Sequence, residues 1–307
     1  MGGFLPRCIL VVGLLETMVG CGLGCGSNHH VSPWPRNASL QSLTWASSIH
    51  EQMVRVDAEM QEESLSIASE TCDVMPDEEP FCIRSYRGLD ELGNERQAVR
   101  AITRFGVIMA LGPPSSFEAM QGETIELVPT LENTWNSSSD VNGDGLPDVV
   151  VARSGKSLEV WGLHARGASP YPIDAITPVT GAMDLDGDGR PELFGVVRAR
   201  AGDPIAPKLI EVVGFSAGRY RFDTPSVRAF HARQAREKAG NLLDGESLER
   251  RIAVQVEIAW HQIRSGGDRA QVLKDLDDAV NRLGPLSSDH KSWLRRWREW
   301  LERIAVR

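Results

Sequence analysis

The sequence predicts an α+β protein with helices near the N-terminus, a central antiparallel β region and a C-terminal helical bundle. Three observations support this. Apolar residues recur at helical spacing between 43 and 111 and again beyond Pro225. Between those stretches lie short segments rich in β-branched and aromatic residues, each bounded by Gly, Pro, Asn, Asp or Ser. Charge divides along the same lines: the 307 residues carry −9 in total, with +4 in 225–307 and −13 in 21–224. An acidic chain of this kind is no general nucleic-acid binder, because attraction to phosphate needs a basic face.

Residues 1–20 have the order of a secretory signal. Arg7 precedes the apolar run Cys8 to Leu15, which is too short to span a bilayer, and small residues follow. Met18-Val19-Gly20-Cys21 resembles a bacterial lipobox, which implies lipid attachment at Cys21, export to the cell envelope, and anchoring at the outer membrane or cell surface in preference to the inner membrane. A conventional cleaved signal and processing at Cys25 are the alternatives. Residues 21–42, rich in Gly, Ser, Asn and Pro, read as a flexible tether.

Residues 43–114 read as a helical segment. Ile49, Met53, Val56, Met60 and Ile67 fall on one helix face. A second helical pattern covers about 90–111, with Leu92, Val99, Ile102 and Phe105 on one side and Gly112-Pro113-Pro114 as the stop. Between them, Cys72 and Cys82 flank an acidic, Pro-bounded loop. A disulfide closing a loop of about ten residues contributes roughly 2–3 kcal/mol in the chain-entropy model, and exported proteins favour such bridges.

The region 115–224 reads as β, with strands expected near 124–128, 148–152, 158–161, 192–197, 209–215 and 220–222. In 225–307 the helical period returns in four segments, near 225–239, 246–265, 268–283 and 289–305, separated by glycine-containing breaks. On the last of these, Trp293, Trp297 and Trp300 form a stripe amid arginines. Packing against neighbouring helices accounts for it, with a membrane-surface role as the alternative.

The pattern that carries chemistry is D-x-[DN]-G-D-G-x-P-[DE]. It occurs at 140–148 and again at 184–192, 44 residues apart, each time leading into a β segment. Side-chain oxygens at positions 1, 3 and 5 can converge on one point, and Gly at position 6 permits a left-handed turn. Position 7 offers its carbonyl and position 9 a carboxylate. Hard oxygen donors on a flexible loop suit Ca²⁺ better than Mg²⁺. An EF-hand needs an acid at position 12, where this chain has Val151 and Gly195.

The two loops resemble the calcium loops of FG-GAP repeats, the integrin-alpha-type and VCBS-like blades in which such a turn joins two strands. That resemblance implies one Ca²⁺ held by Asp140, Asn142, Asp144, the Leu146 carbonyl and Asp148. It implies a second held by Asp184, Asp186, Asp188, the Arg190 carbonyl and Glu192, whose extra methylene still reaches. Closed propellers need about 4–8 blades, and 115–224 has room for two repeats, so a partial array is expected.

No G-x-S-x-G elbow, P-loop, dinucleotide fingerprint or H-E-x-x-H is present, and no catalytic residue is assigned. The seven histidines are scattered along the chain. Two functional classes lead, with an inert structural subunit as a third. One is a lipid-anchored binding or adhesion protein of the cell envelope, its partner another envelope protein or a glycan. The other is an envelope hydrolase or accessory enzyme whose catalytic groups meet only in the fold.

Overall fold

The computed structural model describes residues 40–75, 79–113, 125–127, 140–153, 157–164, 166–197, 206–241 and 246–304. The expected signal segment, Cys21, and the tether up to residue 39 lie outside the described residues. Two compact units are present, with the boundary between Tyr171 and Pro172. That boundary falls inside the stretch read from sequence as one β region. No helix among the described residues is long and apolar enough to cross a membrane.

The unit before the boundary starts with helix α1 (Leu40–Glu62), which extends into the end of the expected tether. Two antiparallel four-stranded sheets follow. The first has β1 (Leu65–Val74), β2 (Pro80–Leu89), β3 (Glu95–Thr103) and β4 (Gly106–Leu111) in sequence order. The second has β5 (Ile125–Leu127), β6 (Asp148–Arg153), β7 (Ser157–His164) and β8 (Gly167–Pro170). Both are antiparallel meanders, each strand hydrogen-bonded to its neighbour in sequence.

Ile49, Met53, Val56 and Met60 bury one face of α1 against Leu65, Tyr86, Ala98 and Ile102 on the first sheet. Each such aliphatic side chain contributes roughly 1.5–3 kcal/mol on leaving water. The other face of that sheet packs through Phe81, Ile83, Val99 and Met109 onto Val149, Val151 and Leu163 of the second. Arg84 ties the layers together, pairing with Asp57 on α1 and Glu70 on β1.

Two helical expectations are corrected here. The first helix stops at Glu62, Ser64 turns the chain at φ 60°, and Ile67 belongs to β1, where it is exposed. The expected helix over 90–111 is β3 and β4. From Gln97 to Thr103 every residue of β3 is buried, because α1 covers one face of the sheet and β5–β8 the other. A strand buried on both faces loses its in-and-out alternation, and here Gln97, Arg100 and Thr103 are buried among the apolar residues. The Cys72–Cys82 disulfide is present, at a directly opposed pair of β1 and β2, and therefore pins a hairpin within one sheet.

The second unit holds a meander of β9 (Gly181–Met183), β10 (Glu192–Val197), β11 (Leu209–Ser216) and β12 (Arg219–Arg221), followed by α2 (Pro225–Gly240), α3 (Leu248–Arg264), α4 (Arg269–Asn281) and α5 (Ser288–Arg303). These elements follow the segments read from sequence closely. The reason lies at their ends. Thr224, Ser247, Asp268 and Ser287 each cap a helix by accepting the backbone N–H three residues on.

The helical core gathers Ile252, Val256, Trp260, Leu276, Trp293 and Leu301 around Leu209 of β11. Trp260 Nε1 donates to the Ile210 carbonyl at 3.0 Å, and Trp300 stacks on Trp260 with ring centres 5.5 Å apart. Trp293 and Trp297 are buried in the same core, so the tryptophan stripe is helix packing. The whole is an α+β structure whose antiparallel sheets, among the described residues, form no closed barrel or propeller.

Candidate metal centre

Each duplicated loop sits between the first and second strand of its own meander, β5–β6 in one unit and β9–β10 in the other. Their internal hydrogen bonds follow one scheme. In the first loop Asp140 Oδ1 accepts the N–H of Gly143 and Asp144 at 2.6 and 3.0 Å, and Oδ2 accepts that of Gly145 at 2.8 Å. Asn142 Oδ1 takes the Asp144 N–H at 2.9 Å and Asp144 Oδ1 the Leu146 N–H at 2.9 Å. Asp148 Oδ2 closes the loop on the N–H groups of Val141 and Asn142, at 2.9 and 3.0 Å.

The second loop repeats this pattern. Asp184 takes Gly187 and Gly189 at 2.7 and 3.0 Å, Asp186 takes Asp188 at 3.2 Å, Asp188 takes Arg190 at 2.8 Å, and Glu192 takes Leu185 at 3.0 Å. Glu192, with its extra methylene, still holds the amide at position 2, as Asp148 does. The chain can wrap its own carboxylates because positions 4 and 6 are both left-handed: φ is 75° and 90° at Gly143 and Gly145, and 82° and 87° at Gly187 and Gly189.

The loops differ in how their acids lie. In the second, carboxylate oxygens of Asp184, Asp186 and Asp188 all come within 4.8 Å of one another, the one such acidic cluster among the described residues. In the first, position 3 is Asn142, and Asp148 is buried, its Oδ1 accepting from Asn142 Nδ2 at 3.1 Å. Burial pushes the Asp148 carboxyl up to about 8; the amide of Asn142 pulls it down and the charge of Asp144 pushes it further up. Glu192 is likewise raised by burial, against hydrogen bonds from Ser226 and the Leu185 amide.

The side-chain donors at positions 1, 3, 5 and 9 are all oxygens, with formal charge −3 in the first loop and −4 in the second. That set fits a hard divalent cation and offers nothing to a soft one.

A family model for the FG-GAP-like repeat matches residues 140–195. The chain thus contains FG-GAP-like repeat sequence, and the match runs from the first position of one loop through the last position of the other. No curated protein and no solved structure matches the chain. Within the FG-GAP-like stretch lie both loops and strands β6 to β9, together with the first residues of β10.

Several residues near these loops carry no signal in the sequence. Tyr171, directly after β8, donates its hydroxyl to Asp144 Oδ2, and the Asn142 side chain also hydrogen-bonds the phenol. Ser226, in the first turn of α2, reaches Glu192. Away from the loops, His231 on α2 and His261 on α3 come together in the helical core, 30 positions apart in sequence. His164 is exposed. A groove of about 460 Å³ across α2, α3 and α4 has an apolar floor of Ile258, Ala259 and Leu276, with Arg251, Asp275 and Arg282 among its lining residues.

Proposed function

We propose that the loops at 140–148 and 184–192 each bind one Ca²⁺, and that the protein is an exported, lipid-anchored component of the cell envelope whose calcium-braced repeats act in binding or adhesion. The observation that carries this proposal is the shared hydrogen-bond scheme of the two loops, which in both holds four oxygen-bearing side chains around one turn. Asp140, Asn142, Asp144, Asp148 and the Leu146 carbonyl serve one ion. Asp184, Asp186, Asp188, Glu192 and the Arg190 carbonyl serve the other. Bound Ca²⁺ supplies charge neutralisation and cross-links the start of β6 and of β10 to the turn before each.

Sites of this kind in extracellular modules bind at about 10⁻⁴–10⁻³ M, concentrations met outside the cytoplasm. The disulfide is consistent with an oxidising compartment. Residues 1–20 serve as signal, Cys21 takes the lipid, and the tether up to residue 39 holds the folded part off the membrane. The partner is another envelope protein or a glycan. Calorimetric Ca²⁺ titration of the full chain is expected to show two sites and a rise in melting temperature, both abolished by D144N with D188N. An unchanged calcium response in that double variant rejects the metal assignment. C21S is expected to abolish acyl labelling, and persistent labelling rejects that anchor.

A further inference from the structure

We propose that Tyr171 is a positioning residue of the first metal loop, holding Asn142 and Asp144 in their binding orientation through its hydroxyl. This role rests on calcium binding at that loop and adds to it a residue outside the nine-residue motif.

The phenol touches the side chains at positions 3 and 5 together: it donates to Asp144 Oδ2 and is hydrogen-bonded by Asn142. Its seat is built by the strands that follow the loop. Gly162 on β7 stands directly opposite Asp148 on β6, and a Cβ at Gly162 would collide with the Tyr171 ring. The Tyr171 N–H donates to the Val160 carbonyl at 2.9 Å, which fixes the backbone where the ring departs. Ring, glycine and loop therefore form one closed circuit through β6, β7 and β8.

Asp144 is exposed, and an exposed carboxylate loses rotamer freedom when it binds an ion. Here its Oδ1 already holds the Leu146 N–H and its Oδ2 the phenol, so that freedom is spent before a cation arrives. Each carboxylate oxygen keeps a second lone pair for the ion.

The second loop has the glycine but a different occupant. A Cβ on Gly214 of β11 would meet Thr224 Oγ1 at 2.6 Å, and the neighbouring Ser226 bonds Glu192 at position 9. The tethered side chains are thus those at positions 3 and 5 in one loop and at position 9 in the other, and the effect of Tyr171 is confined to the first.

The test is calcium calorimetry on the full chain, with D186N/D188N isolating the first loop and D140N/D144N isolating the second. Y171F keeps the ring and removes the hydroxyl. Loss of such an outer-shell partner typically weakens metal binding by about 10–100-fold, so Y171F is expected to raise the dissociation constant of the first loop about tenfold. It should leave the second within twofold. G162A, which displaces the ring, should weaken the first loop in the same direction. Two sites in the parent chain with the first loop unmoved by Y171F overturn the role of Tyr171 alone, as does equal weakening of both loops. No calcium binding in the parent chain overturns the calcium assignment and this role with it.

Discussion

His231 Nδ1 and His261 Nδ1 lie 2.8 Å apart in the helical core, both side chains buried, so one ring donates and the other accepts. That bond needs one Nδ1 without a proton, so it is lost once both rings are protonated. Phe230 and Trp260 wall the pair, and the nearby charges are Arg264, Lys238 and Glu257. Burial lowers His231 to about 2, reinforced by His261 and Arg264. It lowers His261 to about 4, where Lys238 adds to the effect and Glu257 opposes it.

Acid should therefore destabilise the helical unit through this pair. The unfolded chain takes up both protons below about pH 6.5, while the folded one resists until about 4 and about 2. Stability is thus lost as pH falls from 6.5 towards 4, because over that range the unfolded chain binds protons that the buried rings refuse. Glu211 acts with opposite sign: burial pushes it up to about 7 against the pull of Arg264. Comparing parent and H261Q isolates the histidine contribution. Urea denaturation followed by tryptophan fluorescence at pH 7 to 4.5 should show a dependence weaker by about one proton in H261Q.

Arg264 and Glu211 form a buried ion pair at 2.6 Å, with the guanidinium also over the rings of Phe222 and Trp260. E211A leaves that cation buried without its counter-charge and is expected to cost about 3–5 kcal/mol. Replacing both partners by apolar residues, as in E211L/R264M, should cost less, because no charge is stranded. Chemical denaturation of the three proteins checks the ranking.

Reducing Cys72–Cys82 should lower the stability of the unit that contains α1 by about 2–3 kcal/mol, the loop-entropy value for a short ring. The helical core around Trp260 holds no part of that bridge. A reductant, or C72S/C82S, should therefore shift the thermal transition of that unit and leave the transition of the helical unit in place, as calorimetry would show.

Gly189 has φ 87° and open space where a Cβ would go, so G189A isolates backbone strain from crowding. An L-residue in this conformation costs about 1–2 kcal/mol. The expected outcome is a loss near the lower value in the absence of metal and weaker calcium binding at the second loop, read by melting and calorimetry.

Legibility in the sequence followed the range over which each feature is determined. The two loops, their glycines and helices α2 to α5 were readable because their caps and turns lie within a few residues of one another. Strand β3 was not, since its periodicity was erased by burial on both faces, a fact about α1 and β6 and β7. Ile67 completed a helical series that Ser64 had already interrupted. Tyr171 and the His231–His261 pair depend on contacts 27 and 30 positions apart, and no local pattern announces them.

The two loops share a hydrogen-bond scheme although their surroundings have little in common. β6 after the first loop packs into a sheet-on-sheet core, whereas β10 after the second contributes Phe194 to a cluster with Val227 and Phe230 of α2. A nine-residue turn that keeps its form in two such unlike hosts carries its folding instructions within itself. It is portable, and grafting it between any two neighbouring antiparallel strands should transfer the turn intact.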